Sequence, residues 1–209
     1  ACNGTEIKRL ATIKIPHSLG QFYATITGFL GFKVQSDEYK VMGMASYGKP
    51  AFADFFRNEV FDFREDGTFR VNNHFLDYHL ARQGIFLKET IRVLGKNRLP
   101  EEEITNHHMD IAKSAQVVLE EVLFHMVNRL HRETRLDKLC LAGGVALNCV
   151  ANGKLFDNTP FHQIFIQPAA GDAGTSIGAA LYVYHQYTRE PRRYEMRDAY
   201  LGPSYSHQK

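Results

Sequence analysis

Apolar residues recur at helical spacing through one long stretch of the chain, between His108 and Arg135. They repeat every three or four positions over about seven turns, a pattern typical of a helix with one face in a core. Glu120 and Glu121 fall mainly on the opposite face, where we expect them to meet solvent. The pattern therefore predicts a long, packed helix.

Shorter patterns precede this helix. Residues 10–15 (LATIKI) alternate between apolar and polar positions, which predicts a strand ending before Pro16. Ser18 is a suitable N-cap for a helix that would end at Gly31. Residues 37–58 indicate short helices, with breaks at Gly43 and at the Gly-Lys-Pro sequence that follows.

A hairpin and a mixed segment are predicted next. In FDFREDGTFRV, the Asp66–Gly67 pair predicts the turn between two short strands. Residues 76–106 are predicted to be helical in part, with breaks at Gly95 and Pro100.

The last third of the chain contains two strand–glycine turn–helix units. Residues 138–142 (KLCLA) predict a buried strand that runs into Gly143 and Gly144, with a helix beginning near Ala146. Residues 163–167 (QIFIQ) predict a second buried strand, which runs into a glycine turn and a helix over 175–187. Two such units imply a mostly parallel sheet with crossover helices, so the predicted fold class is α/β.

Composition excludes several classes of protein. The 209 residues carry 25 basic and 23 acidic side chains, a net charge of +2, which gives no basis for nucleic-acid or membrane binding. At 44% hydrophobic residues the chain is an ordinary globular sequence. The opening ACNGTEIKRL lacks the apolar core of a signal peptide, and the three cysteines are odd in number, so we expect a cytoplasmic protein. Because the first residue is alanine, we also expect a piece of a larger protein.

The two glycine turns are the candidate binding site. Ligands of open parallel sheets bind beyond the carboxyl ends of the strands, where Gly143, Gly144, Gly171 and Gly174 fall. Glycine there allows backbone N–H groups to approach a phosphate, and a following helix N-terminus adds partial positive charge. Neither turn has the spacing of a P-loop or of GxGxxG, so tight turns and a nucleotide cleft both remain open interpretations.

Four polar residues have two interpretations each. Asp172 is either an N-cap or a metal ligand, and Asn148 either caps a helix or hydrogen-bonds a ribose or base. His17 and Lys40 are the candidate catalytic residues. The alternatives are a satisfied polar contact for His17 and a solvated surface loop for Lys40. No two histidines stand four positions apart, so we expect no complete metal site within the chain. Cys140 and Cys149 are interpreted as core residues.

Four segments in this order resemble one family, the O-carbamoyltransferases of nodulation-factor and antibiotic biosynthesis. They are IKIPHSLGQFYATITGFLGFK, SDEYKVMGMASYGKP, LCLAGGVALNCVANGKLF and IQPAAGDAGTSIGAALY. The resemblance implies the second lobe of an actin/hexokinase/heat-shock-ATPase-like (ribonuclease H-like) fold. It places that lobe at residues 1–188, with a helical insertion at about 37–135. Residues 189–209 would then be a linker toward an absent C-terminal, adenylate-forming domain.

The resemblance also implies an activity. Such enzymes convert carbamoyl phosphate with ATP to carbamoyl-adenylate and pass the carbamoyl group to a hydroxyl of a sugar or natural product. By the matching motifs, Gly143, Gly144 and Asn148 would belong to the nucleotide-binding turn. Asp172 would bind a divalent metal, expected to be iron. The other two ligands would be histidines of the missing first lobe, so we expect this fragment alone to be inactive.

Two further functions remain open. One is threonylcarbamoyl transfer to tRNA, which the near-neutral charge and the family-specific wording of the first two motifs disfavour. The other is a non-catalytic nucleotide-binding module.

Overall fold

The structure is a computed structural model, and it describes residues 1–196, 199–200 and 202–206. Within the predicted linker, Arg197, Asp198, Leu201 and residues 207–209 lie outside the described residues. The chain divides into two units. The helical unit comprises Ala11–Leu139 and Asn148–Ile164, and the strand–helix unit comprises Ala1–Leu10, Cys140–Leu147 and Phe165–Lys209.

Helices and short strands alternate along the described chain, which confirms a mixed α/β class. A short hairpin opens it, and the elements follow in this order: β1 Cys2–Asn3, β2 Glu6–Ile7, α1 Leu19–Phe29, α2 Glu38–Met44, α3 Ala53–Phe55 continuing as a π-helical turn Phe56–Val60, β3 Phe61–Phe63, β4 Phe69–Val71, α4 Tyr78–Ala81, α5 Lys88–Leu94, α6 Asn106–Thr134, β5 Lys138–Leu141, a 3₁₀ turn Gly144–Leu147, α7 Cys149–Asn152, α8 Leu155–Asn158, β6 Gln163–Ile166 and α9 Asp172–Thr188.

Local sequence signals determine most of these boundaries. The Ser18 hydroxyl accepts the backbone N–H of Gln21 and so caps α1, as predicted. Gly31 follows that helix at a φ of +75°, in the left-handed region that favours glycine. The hairpin of β3 and β4 is antiparallel and pairs Phe63 with Phe69 across the predicted Asp66–Gly67 turn.

The core of the helical unit lies along α6. Ile111, Ala115, Leu119 and Val122 are buried on one face of this helix. Aromatic rings from α1 and the hairpin complete the core. The ring of Phe22 packs edge-on against Phe56 and Phe61, with centroid distances of 5.3 and 4.9 Å. The three rings form one cluster. This core confirms the long packed helix that the spacing predicts.

Strands β5 and β6 form a pair whose direction follows from the flanking hydrogen bonds. The Asp137 carbonyl accepts the His162 N–H at 2.9 Å, and the Leu141 carbonyl accepts the Gln167 N–H at 3.1 Å. Both partners advance in the same direction, so the strands are parallel, as the two strand–turn–helix units predict. Neither strand is buried along its length, contrary to the prediction, because exposed positions alternate with covered ones.

Several boundaries differ from the predictions. Residues 10–15 form no strand, because alternation alone cannot make one without a partner strand, and none pairs with them in the described part of the chain. Helix α2 continues through Gly43, which lies on an exposed surface where no neighbour forces a break. Glu120 is buried rather than solvated, and Cys140 and Cys149 are exposed rather than in a core.

Within the residues described, no helix combines the length and apolar character needed to cross a membrane.

Candidate functional site

Both glycine turns of the strand–helix unit lie at the carboxyl edge of the parallel pair. The Gly143 N–H donates to the carbonyl of Ala170 at 2.7 Å, which joins the turn after β5 to the turn after β6. Gly143 has a φ of +101°, a conformation that residues with a Cβ rarely adopt. The sequence therefore places the two turns together correctly, at the edge where open parallel sheets bind ligands.

The first turn leaves open space beside its backbone. A Cβ built on Gly143 or on Gly144 would meet no atom of the residues that the structure describes within 4 Å, and both glycines are exposed. Packing within the described chain therefore does not require glycine at position 144. A backbone without side chains, next to open space, suits close approach by a phosphate.

The second turn uses one of its glycines for packing. A Cβ on Gly174 would lie 2.1 Å from the carbonyl oxygen of Ala169, so any side chain there would collide with backbone. Gly171 is the N-cap residue of α9, and a Cβ there would make only an ordinary 3.9 Å contact with Leu147. Close packing therefore explains Gly174 without a ligand, while a cofactor-binding role for either residue stays a prediction.

Asp172 is the first residue of α9, not its N-cap. The α9 N-cap, Gly171, has no side chain to cap the helix, and the Asp172 carboxylate is exposed in the first turn. A carboxylate there is favoured by the helix dipole. Across the described residues, no group of three or more histidine, cysteine, aspartate or glutamate side chains could hold a metal ion. Asp172 is thus a single carboxylate donor, too few for an iron site on these residues alone.

Asn148 is the first residue of the second segment of the helical unit, Asn148–Ile164. Its side chain makes three hydrogen bonds within that unit. The Oδ1 atom accepts the backbone N–H of Ala151 at 3.0 Å, which makes Asn148 the N-cap of α7. The same Oδ1 accepts from Gln116 Nε2 at 3.0 Å, and Asn148 Nδ2 donates to Gln116 Oε1 at 2.9 Å. Of its two interpretations, helix capping is observed, and a contact with a ribose or base stays a prediction.

A buried polar network surrounds that amide pair. Gln116 also accepts from the Tyr23 hydroxyl at 2.9 Å and donates to Glu120 at 2.9 Å, and Glu120 pairs with Lys154 at 2.6 Å. Burial, and then the nearby Glu120 carboxylate, raise the pKa of Tyr23 far above its usual value. Sequence reasoning missed this network, because Glu120 falls outside the apolar stripe of α6 and its burial becomes evident only in the structure.

His17 makes a backbone contact at the hairpin. Its Nδ1 lies 3.1 Å from the Val71 nitrogen and 3.2 Å from the Val71 carbonyl oxygen, so the Val71 backbone engages this atom in either tautomer. The satisfied polar contact is therefore observed. A catalytic role for His17, through Nε2, stays a prediction.

Lys40 lies on an exposed face of α2. Its ammonium group pairs with Asp37 at 3.0 Å, and this hydrogen bond raises the pKa of Lys40. The Lys33 N–H, which donates to the Asp37 carboxylate at 3.1 Å, and then the Lys40 ammonium lower the pKa of Asp37. At neutral pH the Lys40 side chain is therefore a cation, which can bind an anion but cannot accept a proton.

The loop that follows α2 is docked on α6 rather than loosely solvated. The Lys49 N–H donates to the Asp110 carboxylate at 2.6 Å, and the Phe52 N–H donates to the Ser114 hydroxyl at 2.9 Å. A Cβ on Gly48 would lie 2.0 Å from the carbonyl oxygen of Met109. Glycine at 48 thus allows backbone-to-backbone contact between the loop and the long helix.

Comparison with known families gives one match that covers most of the chain. A model described as carbamoyltransferase N-terminus matches residues 3–181. That range contains both glycine turns, Asp172, His17 and Lys40.

Curated relatives cover nearly the whole chain. An uncharacterized protein of Synechocystis sp. is 46% identical over 209 residues, which span 98% of this chain and 34% of that protein. Nodulation protein NolO of Bradyrhizobium diazoefficiens is 40% identical over 202 residues, 96% of this chain and 34% of that protein. Nodulation protein NolNO of Sinorhizobium fredii is 39% identical, over 96% of this chain and 28% of that protein. The chain therefore spans about a third of the length of these relatives.

Proposed function

This chain belongs to the carbamoyltransferase family, and from that membership we propose that it forms part of an ATP-dependent O-carbamoyltransferase. The proposed enzyme transfers a carbamoyl group from carbamoyl phosphate, through carbamoyl-adenylate, to a hydroxyl of a sugar or natural-product acceptor. The match to the carbamoyltransferase N-terminus over residues 3–181 is the observation that carries this proposal. The proposed fold is the second lobe of an actin/hexokinase/heat-shock-ATPase-like domain.

The transfer step makes specific demands on a site. The acceptor oxygen forms a bond to the carbamoyl carbon, the bond from that carbon to the phosphate oxygen breaks, and AMP leaves with the electron pair. The hydroxyl proton must go to a base, and the negative charge on the phosphate must be stabilised as it leaves.

In the proposal, the carboxyl edge of the β5–β6 pair stabilises the negative charge on the leaving phosphate. The open backbone at Gly143 and Gly144 allows the adenylate phosphate to approach closely. The backbone N–H groups in the first turn of α9 would add hydrogen-bond donors beside it. Stabilising the leaving phosphate is therefore the role we assign to this edge.

His17, Lys40 and Asp172 each have a proposed role that follows from their own contacts and charge. His17 would act through Nε2, since its Nδ1 is engaged by the Val71 backbone. Lys40, a cation at neutral pH, would bind a phosphate oxygen rather than remove a proton. Asp172 would serve as one metal ligand only together with histidines from elsewhere in the protein. Because the described residues do not form a metal site, no step is assigned to a metal here.

Carbamoyl transfer by the complete protein tests the proposal. The protein is incubated with carbamoyl phosphate, ATP and a panel of hydroxylated acceptors, and AMP and the carbamoylated product are measured. We expect product from the wild type and loss of product in Asp172→Ala. The 209-residue chain alone is expected to give none.

A matched control separates the role of Asp172 from a general effect of charge. Asp157 is also an exposed carboxylate in the first turn of a helix, α8, so Asp157→Ala should retain full activity. If ATP is consumed but no panel acceptor is carbamoylated, the acceptor class in the proposal is wrong. If the protein consumes no ATP in the presence of carbamoyl phosphate, the proposed reaction is wrong.

A further inference from the structure

The strand–helix unit has almost no hydrophobic core of its own. Among its described residues, the buried apolar side chains are those of Ala146 and Ala170. Its larger apolar side chains lie at the surface, and Phe165 of β6 is 42% exposed. Burial of apolar surface is the main favourable term in folding. This unit therefore lacks the stabilisation that the helical unit gains from the buried face of α6.

The parallel pair of this unit is also incomplete. Among the residues that the structure describes, β5 and β6 pair only with each other. Parallel sheets occur almost only with both faces covered, and sheets usually have about four to six strands. A parallel pair with exposed positions on both strands is therefore typical of one part of a larger sheet.

Helix α9 has apolar side chains on two opposite faces. Ile177 and Leu181, four positions apart, lie on its partly covered face. Ala180, Val183 and Tyr187 recur at helical spacing on the other face, and all three are exposed. We call these three residues the outer face of α9. A helix that is apolar on both sides is typical of a position between two layers of structure.

The composition of α9 indicates a protein interface rather than a solvated surface. The helix contains no lysine, arginine or glutamate, and its one aspartate lies in the first turn. Exposed helix α5 in the helical unit differs, since its seven residues include Lys88, Glu89 and Arg92. Interface cores are depleted of charged residues and enriched in tyrosine. The outer face of α9 matches that composition.

The rest of the protein is the occupant that fits this face best. The chain spans 34% of the length of the Synechocystis relative, so a protein of that length has enough further chain to add strands and a covering layer. A second copy of this chain would contribute another strand–helix unit that also has almost no core. Apolar chain from elsewhere in the same polypeptide would supply the core that both copies lack.

We infer that the outer face of α9 packs against an apolar segment of the same polypeptide that lies outside these 209 residues. That segment covers Val183 and Tyr187 and completes the layer that the strand–helix unit lacks. The inference rests on the proposed function only in that the chain forms part of a longer protein. Its tests use neither ATP nor carbamoyl phosphate, so failure of carbamoyl transfer would leave their results unchanged.

Tyrosine nitration of the complete protein measures whether the face is covered. Tyr187 is 89% exposed within this chain, and Tyr47 in the helical unit is 79% exposed, so both would react at similar rates if solvent reached both. We expect Tyr187 to react about tenfold or more slowly than Tyr47, because a covered ring reacts only after local opening. Mass spectrometry of the two peptides gives the rates. In denaturant, as a control, the two tyrosines should react alike.

Photo-crosslinking identifies what covers the face. Tyr187 is replaced by benzoylphenylalanine in the complete protein, and thermal unfolding verifies that the variant is folded. We expect an adduct within one polypeptide, to a residue outside these 209. The same replacement at Tyr47 is the control and should not give that adduct. The inference fails if Tyr187 is nitrated as fast as Tyr47. It also fails if the folded Tyr187 variant forms no adduct, links two copies, or links only to residues of this chain.

Discussion

Helices α6 and α9 differ in what covers them. Helix α6 has 29 residues and a continuous buried face, whereas none of the 17 residues of α9 is buried. Both helices carry apolar side chains, and Val122 of α6 is fully buried while Val183 of α9 is 63% exposed. Helix formation thus follows from local sequence, but burial depends on neighbours.

Gly48 and the glycines of the first turn differ in the same way. In the helical unit, Gly48 lies directly against the backbone of α6. In the strand–helix unit, Gly143 and Gly144 border open space. Packing within the chain explains glycine at position 48, whereas Gly143 and Gly144 leave room for a ligand.

The largest expected effect is a loss of stability at the packed glycine, Gly48. Gly48→Ala places a Cβ within 2.0 Å of the Met109 carbonyl oxygen, a contact that only a backbone shift can relieve. We expect a loss of about 3 kcal/mol in the free energy of unfolding, measured by chemical denaturation of the chain. The control is Gly43→Ala, where a Cβ meets no described atom within 4 Å. Equal stability of the two variants would contradict the docked loop.

A matched pair of valines compares the two helices directly. Val122→Ala should cost about 2 kcal/mol, because it removes buried apolar surface and leaves a cavity. Val183→Ala on α9 should change the free energy of unfolding by less than about 0.5 kcal/mol. Denaturation of both variants of the 209-residue chain measures the difference. Similar losses would show that α9 is covered in solution and that the contrast is wrong.

The smallest expected effect concerns the first turn of α6. His108 Nδ1 accepts the Thr105 N–H at 3.0 Å and completes a capping box. Burial, and then the charges of His107 and Arg98, lower the pKa of His108 below its usual 6.5. The unfolded chain therefore takes up the proton first, so this contribution is present above pH 6.5 and is lost as the pH falls through the lowered pKa.

The variant His108→Gln isolates that contribution. Glutamine keeps a side-chain acceptor at the same position but does not titrate. Between pH 7.5 and 5 we expect the wild type to lose more stability than the variant, by about 1 kcal/mol or less. Parallel stability curves for the two proteins would show that His108 does not titrate with folding.

Sequence reasoning predicted the elements best where a local signal was sufficient. Ser18, Gly31 and the Asp66–Gly67 turn act within a few residues, and each lies where the sequence places it. The strand predicted over residues 10–15 depends on a distant partner, and no local pattern supplies one.

The same distinction between local and distant determinants applies to the candidate site. Joining of the two glycine turns follows from parallel strands, which the sequence predicts. The partner of Asn148 does not follow, because Gln116 is 32 residues away along the chain. Whether the Asn148 amide bonds a core residue or a ligand depends on the three-dimensional fold. The sequence therefore left both interpretations open.

In the proposed carbamoyl transfer, the open turn at Gly143 and Gly144 holds the adenylate. Gly144→Ala tests this role, because its Cβ meets no atom of the described residues within 4 Å and its φ does not require glycine. Carbamoylated product and thermal unfolding are measured on the complete protein, with Gly43→Ala as the control. The account predicts unchanged unfolding in both variants and a fall in product formation of about tenfold or more in Gly144→Ala alone. Full product formation by a stably folded Gly144→Ala protein would contradict it.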